Sequence, residues 1–311
     1  MFDYKNVIKN RETRQKVLHC FDWLPDGLMV RLQYRLKTGR WPDLNKPKRF
    51  TEKLQWLKLN YRDPLMSQCA NKLAVRDYVD SCGLSSILVP LIGVYSSPHE
   101  IDRNRLPDKF VLKDSLGGGG NEVLVCLDKN SFNWKDAIMR MENWVRPGRH
   151  RKHPGREWVY DTPYSSRILA EEFLSSDDPT AGLIEFKFFC SYGKPSYLYI
   201  LGNRSLGESV ELGIFRASDM SRVDAWRLDE QRLIDDLPQP SCYADMMDAA
   251  SRLSKPFPEA RVDFYYSGSL SGFRFSEITF FDGSGYFQFE PDLFDFELGA
   301  AIETLRSREG N

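Results

Sequence analysis

A lysine followed by a run of glycines is the strongest chemical signal in the chain. The run Phe110–Leu112 is apolar and leads into Lys113, and after three further residues come Gly117 to Gly120. Backbone amides of consecutive glycines can approach phosphate oxygens because no Cβ stands in the way, and the lysine adds a positive charge from the adjoining strand. The pattern indicates a loop that holds a nucleoside triphosphate, although a glycine-rich surface turn has the same composition.

This loop differs from two familiar phosphate-binding motifs. A P-loop needs Gly-Lys followed by Ser or Thr, but the only Gly-Lys pair, Gly193–Lys194, precedes a proline. A dinucleotide fingerprint needs a third glycine that opens a helix, whereas Glu122 and the apolar run 123–126 follow here and predict a second strand. We therefore expect a hairpin whose glycine loop forms a flap.

Two later segments place carboxylates in strand-like alternation. Arg261 and Asp263 share one face of a predicted strand, and Glu277 and Thr279 share one face of the next. If these strands pair, the carboxylates of Asp263 and Glu277 converge, and such hard oxygen ligands suit Mg²⁺ held partly by nucleotide phosphates. Arg261 would then face the charge on a transferring phosphoryl group. A structural salt bridge between Arg261 and Glu277 is the alternative.

Two other segments carry groups that could contact ligands. The predicted strand 168–174 contains Glu171 and Glu172, which could bind an adenine amine or a ribose hydroxyl, or could be solvated acids. The loop 146–156 holds five lysine and arginine residues, two histidines and no acid. It could receive an acidic acceptor or be a solvated face, and without interleaved aromatic residues it is a weak nucleic-acid site.

The bulk composition excludes several classes of protein. The 311 residues are enough for one large domain or two to three smaller ones, and a net charge of −1 provides no global field for nucleic acid. Six cysteines without a Cys-x-x-Cys pair predict neither a zinc site nor a disulfide framework, which fits a reducing cytosol. The longest apolar run, 87–95, is too short for a membrane span, and we expect a cytoplasmic protein.

Hydrophobic periodicity predicts the elements that would position these groups. Roughly the first sixty residues predict helices, because Phe50, Leu54, Leu57 and Tyr61 recur at helical spacing. Strands cluster late in the chain, which favours an α+β fold over a doubly wound sheet. The later predicted helices are 71–79, 134–144, 243–253 and 294–305. The predicted strands are 87–95, 110–113, 123–126, 168–174, 184–191, 196–201, 260–266 and 273–281.

Together these segments resemble the ATP-grasp superfamily and, within it, the TupA-like branch named for teichuronic acid biosynthesis. The resemblance runs from about Lys46 to Gly299, and several short matches in one order are more specific than any one of them. These matches are Lys46–Pro47, 50–57, Asn71–Lys72, 75–79, 110–113, 186–190, Gly193–Lys194, 261–265 and 275–280.

The resemblance implies an α+β ATP-grasp fold, in which two α+β subdomains clamp ATP. It suggests a helical N-terminal region over 1–60, a first subdomain with the glycine flap over 61–165, and a second subdomain with an adenine hinge and a metal site over 166–311.

The resemblance also implies roles for individual residues. Arg261 and Lys113 would act in catalysis, and residues 115–121 would form the flap. Mg²⁺ would be held by Asp263, Glu277 and Thr279. ATP would be bound by Lys72, Lys113, Ser115, Gly117, Gly118, Gly119, Gly120, Glu171, Glu172, Phe173, Leu174 and Lys187.

Two positions depart from the pattern of the resemblance. Many ATP-grasp enzymes carry asparagine two residues after the metal-binding glutamate, where this chain has Thr279, so the number or geometry of the metal ions is open. The branch usually reads Asp-Lys where this chain has Asn71–Lys72, which keeps the lysine and removes a charge beside it.

The implied activity is an ATP- and Mg²⁺-dependent carboxylate–amine ligase that forms an amide through an acylphosphate. An amino acid or amino sugar would be attached to a uronic acid during capsular or teichuronic-type polysaccharide biosynthesis. A glycosyltransferase that holds a sugar-nucleotide diphosphate, and a non-catalytic polysaccharide-binding protein, are the alternatives. The sequence identifies neither the acid, nor the amine, nor the oligomeric state.

Overall fold

The structure is a computed structural model with two main β-sheets. It describes residues 11–118, 122–147, 153–161, 164–176, 182–202, 210–235, 237–268 and 272–303. The helices in these ranges are α1 (Arg11–His19), α2 (Asp26–Thr38), α3 (Phe50–Asn60), α4 (Pro64–Ala70), α5 (Val75–Ser81), α6 (Trp134–Trp144), α7 (Tyr243–Ser254) and α8 (Leu293–Ala301). The strands are β1 (Leu91–Tyr95), β2 (Phe110–Asp114), β3 (Val123–Cys126), β4 (Ile168–Glu172), β5 (Ile184–Ser191), β6 (Lys194–Gly202), β7 (Glu211–Arg216), β8 (Trp226–Arg227), β9 (Gln231–Arg232), β10 (Ala260–Tyr266), β11 (Phe273–Thr279) and β12 (Phe289–Glu290).

The first sheet has four strands in the order β1-β4-β2-β3, all antiparallel. On β2, Phe110 and Leu112 point into a small core that also contains Met141 and Trp144 of α6. The alternate residues Val111 and Lys113 therefore face the other side of the sheet, because side chains alternate along a strand. The predicted hairpin of β2 and β3 is confirmed.

The second sheet has six strands in the order β11-β10-β5-β6-β7-β9. One face is aromatic and apolar: Phe186 and Phe188 of β5 and Phe264 of β10 pack towards Tyr243 of α7. The opposite face of β10 and β5 carries charged side chains. The strongly apolar face fixes the register of the strands. A slip by one residue would turn the charged side chains towards the apolar core and the aromatic side chains away from it.

The N-terminal helices cover one end of this second sheet. Phe50 of α3 packs edge-on against Phe189 of β5, with ring centroids 5.4 Å apart, and Leu54 and Leu57 are buried in the same core. Helix α3 begins after a tight cap, because the carboxylate of Glu52 accepts hydrogen bonds from preceding backbone amides. The helical expectation for this region is confirmed within the described residues, and the overall α+β class is confirmed as well.

Strand β4 lies in the first sheet, between β1 and β2. The expected division after residue 165 would separate β4 from its pairing partners. The segment 173–183 is the part of the chain that connects the first sheet to β5 of the second sheet. We therefore propose a subdomain boundary within 173–183.

The strands β7, β8, β9 and β12 were not predicted from the sequence. Within the described ranges, none of the helices combines the length and the apolar character needed to cross a membrane.

Candidate functional site

Lys113 extends from β2 towards the second sheet. Its Nζ lies 2.6 Å from Oε2 of Glu171 on β4 and 5.4 Å from the ring centroid of Tyr265 on β10. Burial alone would lower the pKa of Lys113, but Tyr265 and Glu171 outweigh it and raise that pKa. Lys113 is therefore a charged, mostly buried ammonium at the place where side chains of the two sheets meet.

Lys72, just before α5, connects the base of the glycine loop to the second sheet. Its backbone amide donates to the carbonyl of Ser115 at 2.8 Å, and its Nζ donates to the carbonyl of Gly117 at 2.5 Å. The same Nζ lies 3.2 Å from Oε2 of Glu277 on β11. The side chain of Asn71 caps the following turn by accepting from the amides of Leu73 and Ala74, which holds the lysine in position.

Asp263 lies at the centre of the charged face of the second sheet. Arg261 donates to both its carboxylate oxygens, from Nε at 2.8 Å and from Nη2 at 2.7 Å. Lys187 on β5 donates to Oδ2 at 2.7 Å and also contacts Glu185 at 2.5 Å. Burial raises the pKa of Asp263 despite the opposing effect of Arg261 and Lys187. An isolated carboxylate could not be buried so completely, so these two cations are what keep it there.

Asp263 and Glu277 are directly paired across β10 and β11, as the alternation predicted. Glu277 is the more exposed of the two carboxylates. Burial alone would raise the pKa of Glu277, but the charges of Lys72, Lys187 and Arg261 lower it to about 2. The repulsion expected between the two carboxylates is thus already offset by cations of the protein.

Thr279 completes this row on β11. Its hydroxyl donates to Oε1 of Glu277 at 3.1 Å and accepts from Nη2 of Arg261 at 3.1 Å. The salt bridge between Arg261 and Glu277, which was the alternative to a metal site, is a longer contact, 3.8 Å, than the bonds of Arg261 to Asp263. Asp263 therefore orients Arg261 more closely than Glu277 does. The hydroxyl of Thr279 bridges Arg261 and Glu277.

A second acid, which was not predicted from the sequence, also holds Arg261. Asp282, just after β11, accepts a hydrogen bond from Nη1 of Arg261, and its other oxygen accepts from Arg227 at 3.2 Å. Asp282 is buried, so it fixes the guanidinium of Arg261 from the side opposite Asp263. The only sequence signal was an acid that followed the strand, in Phe281-Asp282-Gly283.

Three other residues join the site without having been predicted. Arg76 of α5 lies 3.8 Å from Glu171, on the side away from Lys113. Glu185 could have been found, because it stands two residues before Lys187 on the same strand face. Tyr265 likewise shares the face of Arg261 and Asp263 by alternation.

The base of the glycine loop is held by buried polar contacts. Asp114 accepts from the amide of Leu116 at 3.0 Å and from the hydroxyl of Ser166. Ser115 is buried and exchanges hydrogen bonds with the backbone of Arg167. Ser115 therefore stabilises the base of the glycine loop by its hydrogen bonds to the backbone of Arg167. Gly119 and Gly120, and Asn121 after them, lie outside the described residues.

Of the two described glycines in this loop, Gly117 is the one where a side chain would be costly. A Cβ there would lie 2.6 Å from Cβ of Glu122, whereas a Cβ on Gly118 would meet nothing within 4 Å. We expect Gly117→Ala to lower the free energy of unfolding by about 1–3 kcal/mol, and Gly118→Ala to change it by less than about 0.5 kcal/mol. Thermal unfolding of both variants without nucleotide checks this, and equal losses would contradict it.

The residues expected to form the adenine hinge, 171–174, do not all lie beside Lys113. Glu171 is buried beside Lys113, but Glu172 is exposed. Phe173 and Leu174 are half-buried at the start of the connecting segment, and Phe173 lies near Lys109.

Part of the basic loop 146–156 has a structural explanation. Its last residue, Arg156, is buried and forms ion pairs with Asp22, which precedes α2, and with Asp26, the first residue of α2. His153 lies 3.2 Å from Glu157. Residues 148–152 lie outside the described part of the chain, so the expected role of this loop in binding an acidic acceptor stays a prediction.

Asp263, Glu277 and Thr279 bring three oxygen-bearing side chains together on β10 and β11. No group of three or more His, Cys, Asp or Glu side chains in the described ranges could hold a metal ion without help. Mg²⁺, however, is usually held by one or two carboxylates together with substrate phosphates and water. Two adjacent carboxylates and a hydroxyl are hard oxygen donors, so these residues fit an ion that a nucleotide helps to hold.

Comparison with known proteins identifies one family. The model of the family described as "TupA-like ATPgrasp" matches residues 52–303. No curated protein matches the chain.

Several solved structures are similar to this chain at low sequence identity. D-alanine–D-alanine ligase from Helicobacter pylori has 14% identity over 75% of this chain and 61% of its own, with a TM-score of 0.38. The Bacillus anthracis enzyme complexed with ATP has 14% identity over 75% and 66%, with a TM-score of 0.40. The ATP-grasp ligase PsnB, complexed with a precursor variant, Mg and ADP, has 12% identity over 82% and 66%, with a TM-score of 0.40. The chain spans less than two thirds of the length of each of these proteins.

Proposed function

The chain belongs to the TupA-like ATP-grasp family, and from this premise we propose that it is an ATP- and Mg²⁺-dependent ligase that joins a carboxylate to an amine. One observation carries the proposal. Three lysines from separate elements, Lys72, Lys113 and Lys187, are each paired with an acid in the region where the two sheets meet, beside a glycine loop. Each lysine has an acidic partner that a phosphate could replace.

We assign the nucleotide phosphates to Lys72, Lys113 and Lys187. Lys72 also touches the base of the glycine loop, so exchanging Glu277 for a phosphate would couple binding to the position of that loop. A loop of glycines that closes over the phosphates excludes water, which a mixed anhydride requires if it is to react with an amine. The adenine would lie near Glu171 and the segment 172–174.

Arg261 is assigned to the phosphoryl group in transfer. Its guanidinium is fixed from two sides by Asp263 and Asp282, so it needs no reorganisation when charge develops on the substrate. Mg²⁺ would be held by Glu277, the more accessible carboxylate, together with Asp263 and the hydroxyl of Thr279. When bound, the ion neutralises phosphate charge and orients the terminal phosphate.

The substrates proposed are a uronic acid carboxylate and the amine of an amino acid or amino sugar, joined during biosynthesis of a capsular or teichuronic-type polysaccharide. ATP and nucleotide-activated precursors are both available in the cytoplasm, which is where we place the reaction. The support for this substrate class is the resemblance to the branch named for teichuronic acid biosynthesis, together with the basic character of the loop 146–156.

The proposal is tested by measuring ADP release with a panel of uronic acids and amines, added separately and together. We expect ADP and phosphate in equal amounts, with the full rate only when an acid and an amine are both present. Release of a nucleoside diphosphate from a UDP-sugar without ATP would indicate a glycosyltransferase instead. ATP binding without ADP release for every pair would favour a non-catalytic polysaccharide-binding protein.

A further inference from the structure

Helix α2 has apolar residues on both of its sides. Val30 and Tyr34 face the core and are fully buried. Leu28, Leu32 and Leu36, at spacings of four, form a row on the opposite side, where Leu28 is 45% and Leu36 is 53% exposed. A surface helix normally has polar residues on that side. This outer row is therefore an apolar surface that the described fold leaves uncovered.

An exposed tryptophan stands on each side of this helix in the sequence. Trp23, before α2, is 76% exposed, and Trp41, after it, is 58% exposed. Single exposed apolar residues need no explanation, but two exposed tryptophans within a few residues of a partly exposed leucine row are more than single residues. Tryptophan is favoured where an apolar ring and a polar N–H meet the boundary between water and lipid.

The same region is positively charged. Residues 1–49 contain 12 lysine and arginine residues against five acids, whereas residues 50–311 contain 31 against 39. The acids Asp22 and Asp26 are paired with Arg156, which offsets part of their charge. Arg40 and Arg49 are in turn paired with Asp292. Arg31 and Arg35 flank the leucine row on α2, and Arg35 is exposed. Such asymmetry in an otherwise balanced chain points to an anionic partner.

We propose that the outer face of α2, with Trp23 and Trp41, docks on an anionic membrane surface. Leucine and tryptophan side chains would enter the headgroup region while arginines contact lipid phosphates, which is how amphipathic helices bind without crossing the bilayer. A symmetric contact between two copies through this face would bring two basic surfaces together, so charge complementarity favours the lipid. This inference does not rest on the proposed catalytic activity.

The test is sedimentation of the full chain with vesicles. Phosphatidylcholine vesicles containing about one third phosphatidylglycerol should bind the protein, vesicles of phosphatidylcholine alone should bind it much less, and added salt should release it. Arg35→Glu should weaken binding to the anionic vesicles about 30-fold, because each unit charge near such a surface contributes about fivefold. Trp23→Ala should also weaken it.

Two matched variants serve as controls. Lys135 is exposed on α6, and Ile234 is 81% exposed after β9. Lys135→Glu and Ile234→Ala should leave vesicle binding within about twofold, since both lie outside the proposed surface. The proposal is overturned if anionic vesicles do not bind the protein, or if Arg35→Glu and Lys135→Glu behave alike. It is also overturned if the wild type forms a dimer without lipid that Leu36→Asp dissociates, while vesicles have no effect.

Discussion

Replacing Glu277 by glutamine should reduce ADP release at least about 100-fold, because the change removes the most accessible carboxylate assigned to Mg²⁺. The charges of Lys72, Lys187 and Arg261 hold the pKa of Glu277 at about 2, below its ordinary value of 4.5. The carboxylate therefore stabilises the folded state above pH 4.5, and this contribution is lost as the pH falls towards 2. At neutral pH the variant should also be less stable, by about 1–2 kcal/mol once partial solvent exposure is allowed for.

A second acid separates loss of catalysis from loss of stability. Glu185 is a buried carboxylate on the same face and contacts Lys187 at 2.5 Å, but it has no assigned role at the metal. Glu185→Gln should lower the thermal stability to a similar extent and keep ADP release within about tenfold of the wild type. If both variants keep their turnover while losing stability, Glu277 belongs to a structural ion-pair network and the metal assignment is wrong.

Replacing Lys113 by methionine should weaken ATP binding about 100-fold and adenosine binding less than about threefold. The ammonium is assigned to phosphate oxygens, and a charge-assisted hydrogen bond contributes roughly 1.5–3 kcal/mol. Calorimetric titration of ATP and of adenosine into the variant and the wild type measures the loss of affinity for each ligand. Lys135→Met, which removes an exposed ammonium on α6, should leave both affinities unchanged.

Loss of Lys113 also leaves the carboxylate of Glu171 buried without its main partner. Thermal unfolding should therefore find Lys113→Met less stable than the double variant Lys113→Met/Glu171→Gln, because the second change removes an uncompensated buried charge. If Lys113→Met lost ATP affinity and adenosine affinity equally, the lysine would have a structural role beside Glu171 and would not bind phosphate.

Strand pairs and the residues that alternate along them were predictable from the sequence. Arg261, Asp263 and Glu277 could be assigned to facing positions because side-chain direction has a period of two in any strand. The β2–β3 hairpin followed from apolar runs on both sides of the glycines. Both predictions depend only on local pattern, and both are confirmed by the register of the strands.

Contacts between distant segments were not predictable in this way. Asp282 reaches Arg261 because the chain turns back after β11, and Phe281, Gly283 and Ser284 take positive φ angles there, a conformation that no periodicity signals. The placement of β4 between β1 and β2 is likewise a matter of topology. Its apolar character fitted either sheet, and only tertiary packing decides between them.

The pairing of Asp263 and Glu277 with lysines of the protein was not predicted from the sequence. Adjacent carboxylates suggested a site that needs a metal ion for stability. Lys187 is on β5, the other neighbour of β10, and Lys72 comes from the segment before α5. Neither is close to Asp263 or Glu277 in the sequence, so their neutralising effect required the three-dimensional arrangement.

The most direct test of ATP binding between the two sheets is calorimetric titration of ATP into the wild-type chain with and without Mg²⁺. We expect one ATP site per chain, with an affinity that rises when Mg²⁺ is added. If no heat of binding is detected at millimolar ATP with Mg²⁺ present, or if the affinity is the same with and without the ion, ATP does not bind there together with Mg²⁺.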